Sequence, residues 1–255
     1  MIFDTHAHYD DEAFLEDRQE IFRKMKEEGI DYVVNIGANM ASSRATLELT
    51  EQYPFVYGAV GVHPSDAQEI NDDSLNELKD LSRHDKIVAI GEIGLDYYWP
   101  EPSKEIQKNA LEAQIELAKD VKLPIVIHSR DAARDTADML SGLHAGDCGG
   151  VIHCFSYTKE MAREFLNMGF YIGIGGVVTF KNAKKLKEAV RYIPMDRIVL
   201  ETDCPYLAPT PYRGKRNSSL YLPYVAEEIA KLKDVSYEEV LAATMTNAKK
   251  MYRLI

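Results

Sequence analysis

The chain has 255 residues, of which 45% are hydrophobic and 28% are charged, as in ordinary globular proteins that bury a large core. Its formal net charge is −11, with 30 Lys and Arg against 41 Asp and Glu, which excludes a broad basic face for polyanions. A nucleic acid substrate would therefore have to be held locally.

The cysteines and the apolar runs indicate the compartment. Cys148, Cys154 and Cys204 lack CxxC spacing, which argues against a disulfide framework and a thiolate metal site and fits a reducing compartment. No apolar run is long enough to cross a bilayer and no leader-like segment is visible, so we expect a cytoplasmic protein. Because the composition does not shift along the chain, we predict one domain over residues 1–255.

Short apolar runs alternate with longer amphipathic stretches, which is typical of βα repeats. The predicted strands cover 1–5, 32–36, 55–60, 87–90, 124–127, 150–152, 171–174 and 197–200. The predicted helices cover 13–28, 42–53, 73–83, 103–121, a segment from the N-cap candidate Asp131, 158–168, a lysine-rich segment ending near 192, 219–232 and a segment from Ser236.

Eight strand–helix units in about 250 residues predict an α/β fold, a (β/α)8 TIM barrel with an additional C-terminal helix. An open doubly wound sheet is the structural alternative. The first strand is not followed by a GxGxxG turn, which removes the usual support for a dinucleotide-binding version of that alternative.

Two histidines follow the first predicted strand. Because strand side chains alternate between faces, His6 and His8 point the same way and Ala7 points the other way. Neutral imidazole is a common ligand for transition metals, so this pair can form half of a metal site. A pair of ordinary surface or core histidines is the alternative interpretation of this pattern.

Other side chains that can bind a metal ion or transfer a proton also come directly after predicted strands. They are His63 after the third strand, Glu92 after the fourth, His128 after the fifth, His153 after the sixth and Asp203 after the eighth. The carboxyl ends of barrel strands meet at one face, so these residues should converge there. Taken singly, a histidine after a strand is more often a capping or hydrogen-bonded group than a metal ligand.

Histidines combined with carboxylates suit borderline divalent ions, and a carboxylate can bridge two of them. We assign one ion to the metal ligands His6, His8, Asp203 and Glu92, and a second ion to Glu92, His128 and His153. Two ions about 3.5 to 4 Å apart would lower the pKa of a shared water and polarise the substrate.

The same pattern suggests roles for neighbouring residues. Asp203 could accept the proton of the attacking water as general base. Asp4 and Glu201 share strand parity with the ligands and are expected to orient their imidazoles, with a buried ion pair as the alternative. His63 could contact a phosphate or protonate the leaving oxygen, with a structural hydrogen bond as the alternative.

Motifs along the whole chain resemble those of the TatD family of metal-dependent deoxyribonucleases. They are DTHAHYD at 4–10, GVHP at 61–64, GEIGLDYY at 91–98, PIVIHSRD at 124–131, HCFS at 153–156, ETDCPYL at 201–207, RGKRN at 213–217 and TNAKKMYRL at 246–254. The resemblance implies a TIM barrel of the amidohydrolase superfamily with divalent-metal nuclease activity. It implies ligand roles for the same six residues that the spacing selects.

Basic and aromatic residues near the predicted mouth support a phosphodiester substrate. The candidate phosphate contacts are Arg130, Lys181, Arg213, Lys215 and Arg216, which could surround the metals with local positive charge. Tyr97, Tyr98 and Trp99 could stack on bases, although packing within the loop is the more ordinary use of such aromatics.

The sequence thus predicts a hydrolase that uses two divalent ions, Mg²⁺ or Mn²⁺ in function with Zn²⁺ or a similar ion as an alternative, to cleave DNA. The low positive charge favours an exonuclease on short single-stranded ends, in a monomer or weak oligomer with no membrane partner. The alternatives are hydrolysis of a carbonyl bond, in an aminoacyl-tRNA ester or an amide, and a metal-dependent binding protein. The same activated water could attack carbon or phosphorus.

Overall fold

The structure is a computed structural model that describes residues 1–255. The strands are β1 Ile2–Ala7, β2 Ile30–Ile36, β3 Val56–Val60, β4 Ile87–Asp96, β5 Ile125–Arg130, β6 Gly150–Ile152, β7 Tyr171–Ile174 and β8 Ile198–Leu200. The helices are α1 Arg18–Glu27, α2 Met40–Gln52, α3 Asp72–Leu81, α4 Lys104–Val121, α5 Ala133–Gly142, α6 Lys159–Asn167, α7 Lys184–Tyr192, α8 Leu222–Lys233 and α9 Tyr237–Met251.

The eight strands form one parallel sheet in the order β1 to β8. The sheet closes into a barrel where Ala7 forms a parallel bridge with Cys204 and the His8 amide donates to the Cys204 carbonyl at 2.9 Å. The predicted TIM barrel is confirmed, and the open doubly wound alternative is wrong. None of the helices combines the length and the apolarity that crossing a membrane requires.

Side chains of successive strand residues enter two separate cores. Val126 and Val199 belong to an inner cluster of 13 buried residues, whereas their neighbours Ile125 and Ile198 belong to a cluster of 51 that packs between strands and helices. The inner cluster contains strand residues and residues at the C-terminal end, among them Met251. Helix α9 therefore closes the amino-terminal end of the barrel, which confirms the predicted additional helix.

Helix α9 is also tied to the barrel by polar contacts. Its N-cap Ser236 forms the predicted capping box with Glu239. Just after the helix, the buried Tyr252 hydroxyl donates to the Thr5 carbonyl at 2.8 Å. The end opposite the predicted active face is thus filled and sealed.

Several predicted element boundaries are wrong. The predicted helix 13–28 is a 3₁₀ turn, Glu12–Phe14, followed by α1, and Asp131 is not an N-cap because it lies before α5 with a φ of 54°. Strand β4 continues six residues past the predicted end. Glu92 therefore lies within its strand rather than after it, and the same holds for His6 in β1 and His128 in β5.

The extension of β4 depends on a glycine that sequence patterns associate with strand ends. Gly94 has a φ of +154°, and a Cβ added there would lie 1.9 Å from the His128 carbonyl oxygen. The missing side chain lets β4 and β5 approach closely beside the carboxyl end of the barrel. This glycine continues the strand instead of ending it.

We expect Gly94→Ala to lower the free energy of unfolding by about 3 kcal/mol, because the new methyl group must displace backbone. Urea unfolding followed by circular dichroism measures the change. Gly142→Ala is the matched control, since nothing lies within 4 Å of its added Cβ. Equal stability of the two variants would contradict the close approach of β4 to β5.

Candidate active site

Several side chains of the site follow inward-facing core residues of the strands, at the carboxyl end of the barrel. His128 comes two residues after the inner-core Val126, and His153 comes two residues after Val151. Glu201 likewise follows Val199 by two residues. Strand periodicity therefore directs these side chains to one place from different strands.

Glu92 lies at the centre of this cluster, nearly buried, and each of its oxygens faces two imidazoles. Oε2 lies 3.4 Å from His6 Nε2 and 3.8 Å from His8 Nε2. Oε1 lies 2.7 Å from His128 Nδ1 and 3.2 Å from His153 Nε2. The carboxylate is placed so that two groups of nitrogen atoms can share it.

Asp203 faces the first of these groups. Its Oδ1 lies 3.4 Å from His8 Nε2 and 3.7 Å from His6 Nε2. His8 Nδ1 is paired with the Ile36 carbonyl at 2.9 Å, which directs Nε2 toward the carboxylates. Burial would lower the pKa of His8, but the hydrogen bond and charge of Asp203 outweigh it and raise that pKa to about 9.

The two central carboxylates are held in their ionised forms. Burial alone would raise the pKa of Glu92, but the electrostatic interactions with His153 and His6 and the hydrogen bond from His128 hold it well below its usual range. Burial also works against ionised Asp203, yet its hydrogen bond with His8 keeps its pKa low.

The donor set suits divalent cations. Ligand atoms of His6, His8 and Asp203 lie within 4.8 Å of one another, and so do those of His63, Glu92 and His128. The rings of His6 and His153 stack with centroids 3.6 Å apart, and the buried Nδ1 atom of each has no hydrogen-bond partner. Imidazoles packed around carboxylates offer the nitrogen and oxygen ligands that borderline divalent ions prefer.

Asp96 belongs to the same cluster, although the sequence analysis did not select it. Its Oδ2 lies 3.1 Å from His128 Nε2, and its Oδ1 accepts from the Tyr98 amide at 2.9 Å. The sequence predicts a fourth strand that ends at residue 90, which leaves Asp96 outside the predicted strand. The signal that could have found it is its spacing of four from Glu92, which gives the two carboxylates the same strand parity.

His63 lies beside this cluster with a fixed ring. Its Nδ1 accepts from the Ser65 amide at 3.1 Å, and its Nε2 lies 3.9 Å from Glu92 Oε1. Since Nδ1 is an acceptor, Nε2 carries the hydrogen and is a donor. Burial and the neighbouring His128 lower the pKa of His63 to about 3.

Glu201 and Asp4 are both expected to orient imidazoles, but in the structure only Glu201 lies near an imidazole nitrogen. Glu201 Oε1 lies 3.6 Å from His153 Nδ1 and accepts from the Cys154 amide at 2.5 Å. Burial raises the pKa of the Asp4 carboxyl to about 7.

Asp4 contacts the backbone of the proposed metal ligand His6 and side chains of the segment that follows β8. It accepts from the Thr202 hydroxyl at 2.7 Å and the Ser219 hydroxyl at 2.6 Å, and from the His6 backbone amide at 3.3 Å. It has no hydrogen bond to an imidazole nitrogen, so the expected contact is not what the structure shows. Asp4 instead joins β1 to the segment after β8, because the Thr202 amide and the Thr202 and Ser219 hydroxyls all donate to it.

A cavity of about 750 Å³ opens above the cluster and is lined by side chains of several strand ends. Of the five basic residues predicted to contact phosphate, Arg130 lines this cavity. Lys181 and Lys215 are exposed outside the lining, and Arg213 lies over the Phe180 ring at 4.3 Å.

Arg216 is also outside the lining and is already paired. Its Nη1 donates to Asp17 Oδ1 at 2.9 Å, and its guanidinium lies 4.9 Å from the centroid of Phe14. The structure therefore brings the six proposed metal ligands and His63 together but spreads the basic residues.

Comparison with known proteins gives a consistent result. A family model described as TatD related DNase matches residues 3–253. The uncharacterized metal-dependent hydrolase YabD of Bacillus subtilis (strain 168) is 47% identical over 254 residues, with 100% of both chains covered. The 3'-5' ssDNA/RNA exonuclease TatD of Pantoea vagans (strain C9-1) is 32% identical over 259 residues, covering 99% of this chain and 100% of that protein.

Among solved structures, the TatD homolog YjjV from Escherichia coli K12 superimposes with a TM-score of 0.93 at 30% identity, covering 99% of this chain and 98% of that one. A TatD family hydrolase from Entamoeba histolytica gives a TM-score of 0.89 at 25% identity, with 98% and 97% covered. The predicted family resemblance is confirmed, and the chain belongs to the TatD family of DNase-related proteins.

Proposed function

We propose that this metal-dependent hydrolase of the TatD family cleaves DNA phosphodiester bonds from single-stranded ends, using two divalent ions and a water nucleophile. The observation that carries the proposal is the position of Glu92, whose two oxygens each face a different pair of imidazoles. A carboxylate in that position can bridge two ions.

The ligands divide into two groups around this bridge. We assign one ion to His6, His8 and Asp203 together with Glu92, and the other to His128 and His153 together with Glu92. Bound Mg²⁺ or Mn²⁺ would activate the water and neutralise charge on the phosphate, and Zn²⁺ also suits so many imidazoles. Asp96 holds His128 in place through a hydrogen bond of 3.1 Å to its outer nitrogen. Glu201 lies 3.6 Å from the outer nitrogen of His153, which makes no hydrogen bond.

The remaining groups act on the water and on the substrate. Asp203 is ionised and faces the cavity, which suits it to accept the proton of the attacking water. His63 donates from Nε2 toward a phosphate oxygen, and its low pKa makes it a hydrogen-bond donor rather than the acid that protonates the leaving group. Arg130 contributes the positive charge in the cavity lining that pairs with a phosphate.

Two further facts support action on a single-stranded end. The net charge of −11 and a cavity lined by one arginine leave little to hold a long polyanion. The Pantoea vagans relative carries the name of a 3'-5' exonuclease acting on single-stranded DNA and RNA. A site that holds a few nucleotides at an end is sufficient for that reaction.

The test is a metal-depleted enzyme resupplied with one kind of ion at a time. We expect Mg²⁺ or Mn²⁺ to restore cleavage of short single-stranded DNA, with slower action on closed circular DNA. RNA and aminoacylated tRNA are assayed in parallel. Faster hydrolysis of the aminoacyl ester than of any phosphodiester would contradict the proposal and favour the carbonyl reaction, while equal rates on circular DNA and single strands would contradict action from an end.

We expect Arg130→Gln to lower kcat/KM for single-stranded DNA about 10-fold to 100-fold, because a hydrogen-bonded charge on the phosphate is lost. Steady-state cleavage of a labelled oligonucleotide measures it. Arg213→Gln is the matched control, since Arg213 is outside the cavity lining. Equal losses in the two variants would show that Arg130 has no special contact with the phosphate.

A further inference from the structure

Two large aromatic side chains stand exposed at the rim of the cavity. Trp99, in the segment after β4, is 59% exposed, and Tyr206, in the segment after β8, is 57% exposed. Both line the cavity above Glu92 and Asp203. Exposed aromatic rings beside a polar site indicate a contact with a ligand that has flat apolar faces.

The segment that carries Trp99 is held by specific contacts. Asp96 accepts from the Tyr98 amide, and the Tyr98 ring meets the Trp99 ring edge-on with centroids 4.8 Å apart. The guanidinium of Arg130 lies 3.8 Å from the centroid of the Tyr98 ring. The Tyr98 ring thus contacts both the Trp99 indole and the Arg130 guanidinium.

Tyr97 is used differently from its two neighbours. Its hydroxyl donates to Asp135 at 2.8 Å, and its ring is half-buried. Tyr97 therefore anchors the segment, and Trp99 is the side chain of this run that both lines the cavity and is largely exposed.

Tyr206 is fixed to the other side of the site. Its amide donates to the Asp203 carbonyl at 2.9 Å, and its hydroxyl reaches Asp11 Oδ2 at 3.3 Å. The position of the ring is thereby coupled to that of a proposed metal ligand. The two exposed rings thus come from the segments after different strands, β4 and β8, and line the same cavity as Arg130.

We propose that Trp99 and Tyr206 are base-stacking platforms that receive unpaired bases of the nucleic acid on either side of the phosphate held by Arg130. This inference rests on the proposed function and identifies the unpaired base as the group that the rim of the cavity recognises. Stacking accepts every base because each has a π-face, so cleavage should depend on the presence of bases and little on their identity. Paired bases in a duplex have their faces covered, so they do not stack on these rings.

Trp99 is the one tryptophan of the chain, so tryptophan fluorescence reports on this platform alone. The probe is a short phosphorothioate oligothymidylate, which resists cleavage, added to the Mg²⁺-loaded enzyme. We expect saturable quenching by the oligothymidylate and little quenching by an abasic strand of equal length and charge. Equal quenching by the abasic strand, or none by the oligothymidylate, would overturn the proposal.

Variants extend the test to both rings. Trp99→Ala and Tyr206→Ala should each weaken binding of the oligothymidylate about fivefold or more, measured by fluorescence anisotropy of a labelled strand, while binding of the abasic strand is unchanged. Tyr192→Ala is the matched control, because Tyr192 is 45% exposed at the end of α7 outside the cavity. Equal binding by all three variants and the unmodified enzyme would overturn the proposal.

The two proposals fail separately. Quenching without DNA cleavage would contradict the proposed function and leave the stacking platforms supported. DNA cleavage without base-dependent quenching would contradict the platforms and leave the hydrolytic proposal intact.

Discussion

Glu92→Gln is expected to lower kcat/KM on single-stranded DNA about 1000-fold and to reduce the number of bound ions. The carboxylate is nearly buried among five imidazoles: Oε2 faces His6 and His8, and Oε1 faces His128 and His153 with His63 farther away at 3.9 Å. An amide keeps the shape but loses the negative charge and one of the two acceptor oxygens that a bridge requires. Metal content after dialysis and steady-state cleavage measure the two effects.

Glu101→Gln serves as the control for the loss of a carboxylate, because Glu101 is exposed outside the cavity lining. Circular dichroism confirms that each variant is folded. A Glu92→Gln enzyme with unchanged ion content and unchanged rate would contradict the bridging role.

Asp203→Asn is expected to lower kcat about 10²-fold to 10⁴-fold with little change in KM. Asparagine keeps an oxygen facing His8 but cannot accept the proton of the attacking water. Because its ion content should stay closer to that of the unmodified enzyme, this variant separates proton transfer from metal binding. Steady-state kinetics on an oligonucleotide together with metal analysis measure both.

Asn39→Ser is the control for Asp203→Asn, since Asn39 lines the same cavity and its side-chain oxygen accepts from the Ser42 amide as the N-cap of α2, a role that serine can keep. A full rate in Asp203→Asn would eliminate Asp203 as the general base. A large rise in KM with an unchanged kcat would instead assign Asp203 to substrate binding.

The barrel was predictable because its signal is repeated along the whole chain. Apolar runs of three to six residues and amphipathic stretches alternate eight times, so errors of a few residues at element ends do not change the fold. The convergence of His6, His128 and His153 was predictable for a related reason. The carboxyl ends of parallel barrel strands meet at one face, whichever residue ends each strand.

Asp96 was missed because local patterns favoured the wrong end for β4. Because glycine usually interrupts strands, the sequence pattern predicts that the fourth strand ends at residue 90, just before Gly91. In the structure, Gly94 has no side chain where a Cβ would meet the β5 backbone, and the strand continues to Asp96. The closeness of two backbones is a tertiary property that one segment does not reveal.

Side-chain partners far apart in sequence were also beyond a pattern analysis. Arg216 pairs with Asp17, and Asp4 accepts from Thr202 and Ser219, across about 200 residues of chain in each case. Sequence places these residues near the same face of the barrel. Which polar groups meet there depends on the geometry of the loops. The sequence therefore cannot show that Arg216 pairs with Asp17 rather than with a phosphate, or that Asp4 accepts from hydroxyls rather than from an imidazole.

We propose that the Glu92 carboxylate joins two ions into one hydrolytic site. The direct test is equilibrium dialysis against Mn²⁺, with the ions bound per chain counted and DNA cleavage followed in the same samples. We expect two ions per chain in the unmodified enzyme, fewer in Glu92→Gln, and cleavage that appears as the second ion binds. Full cleavage with a single bound ion would contradict it.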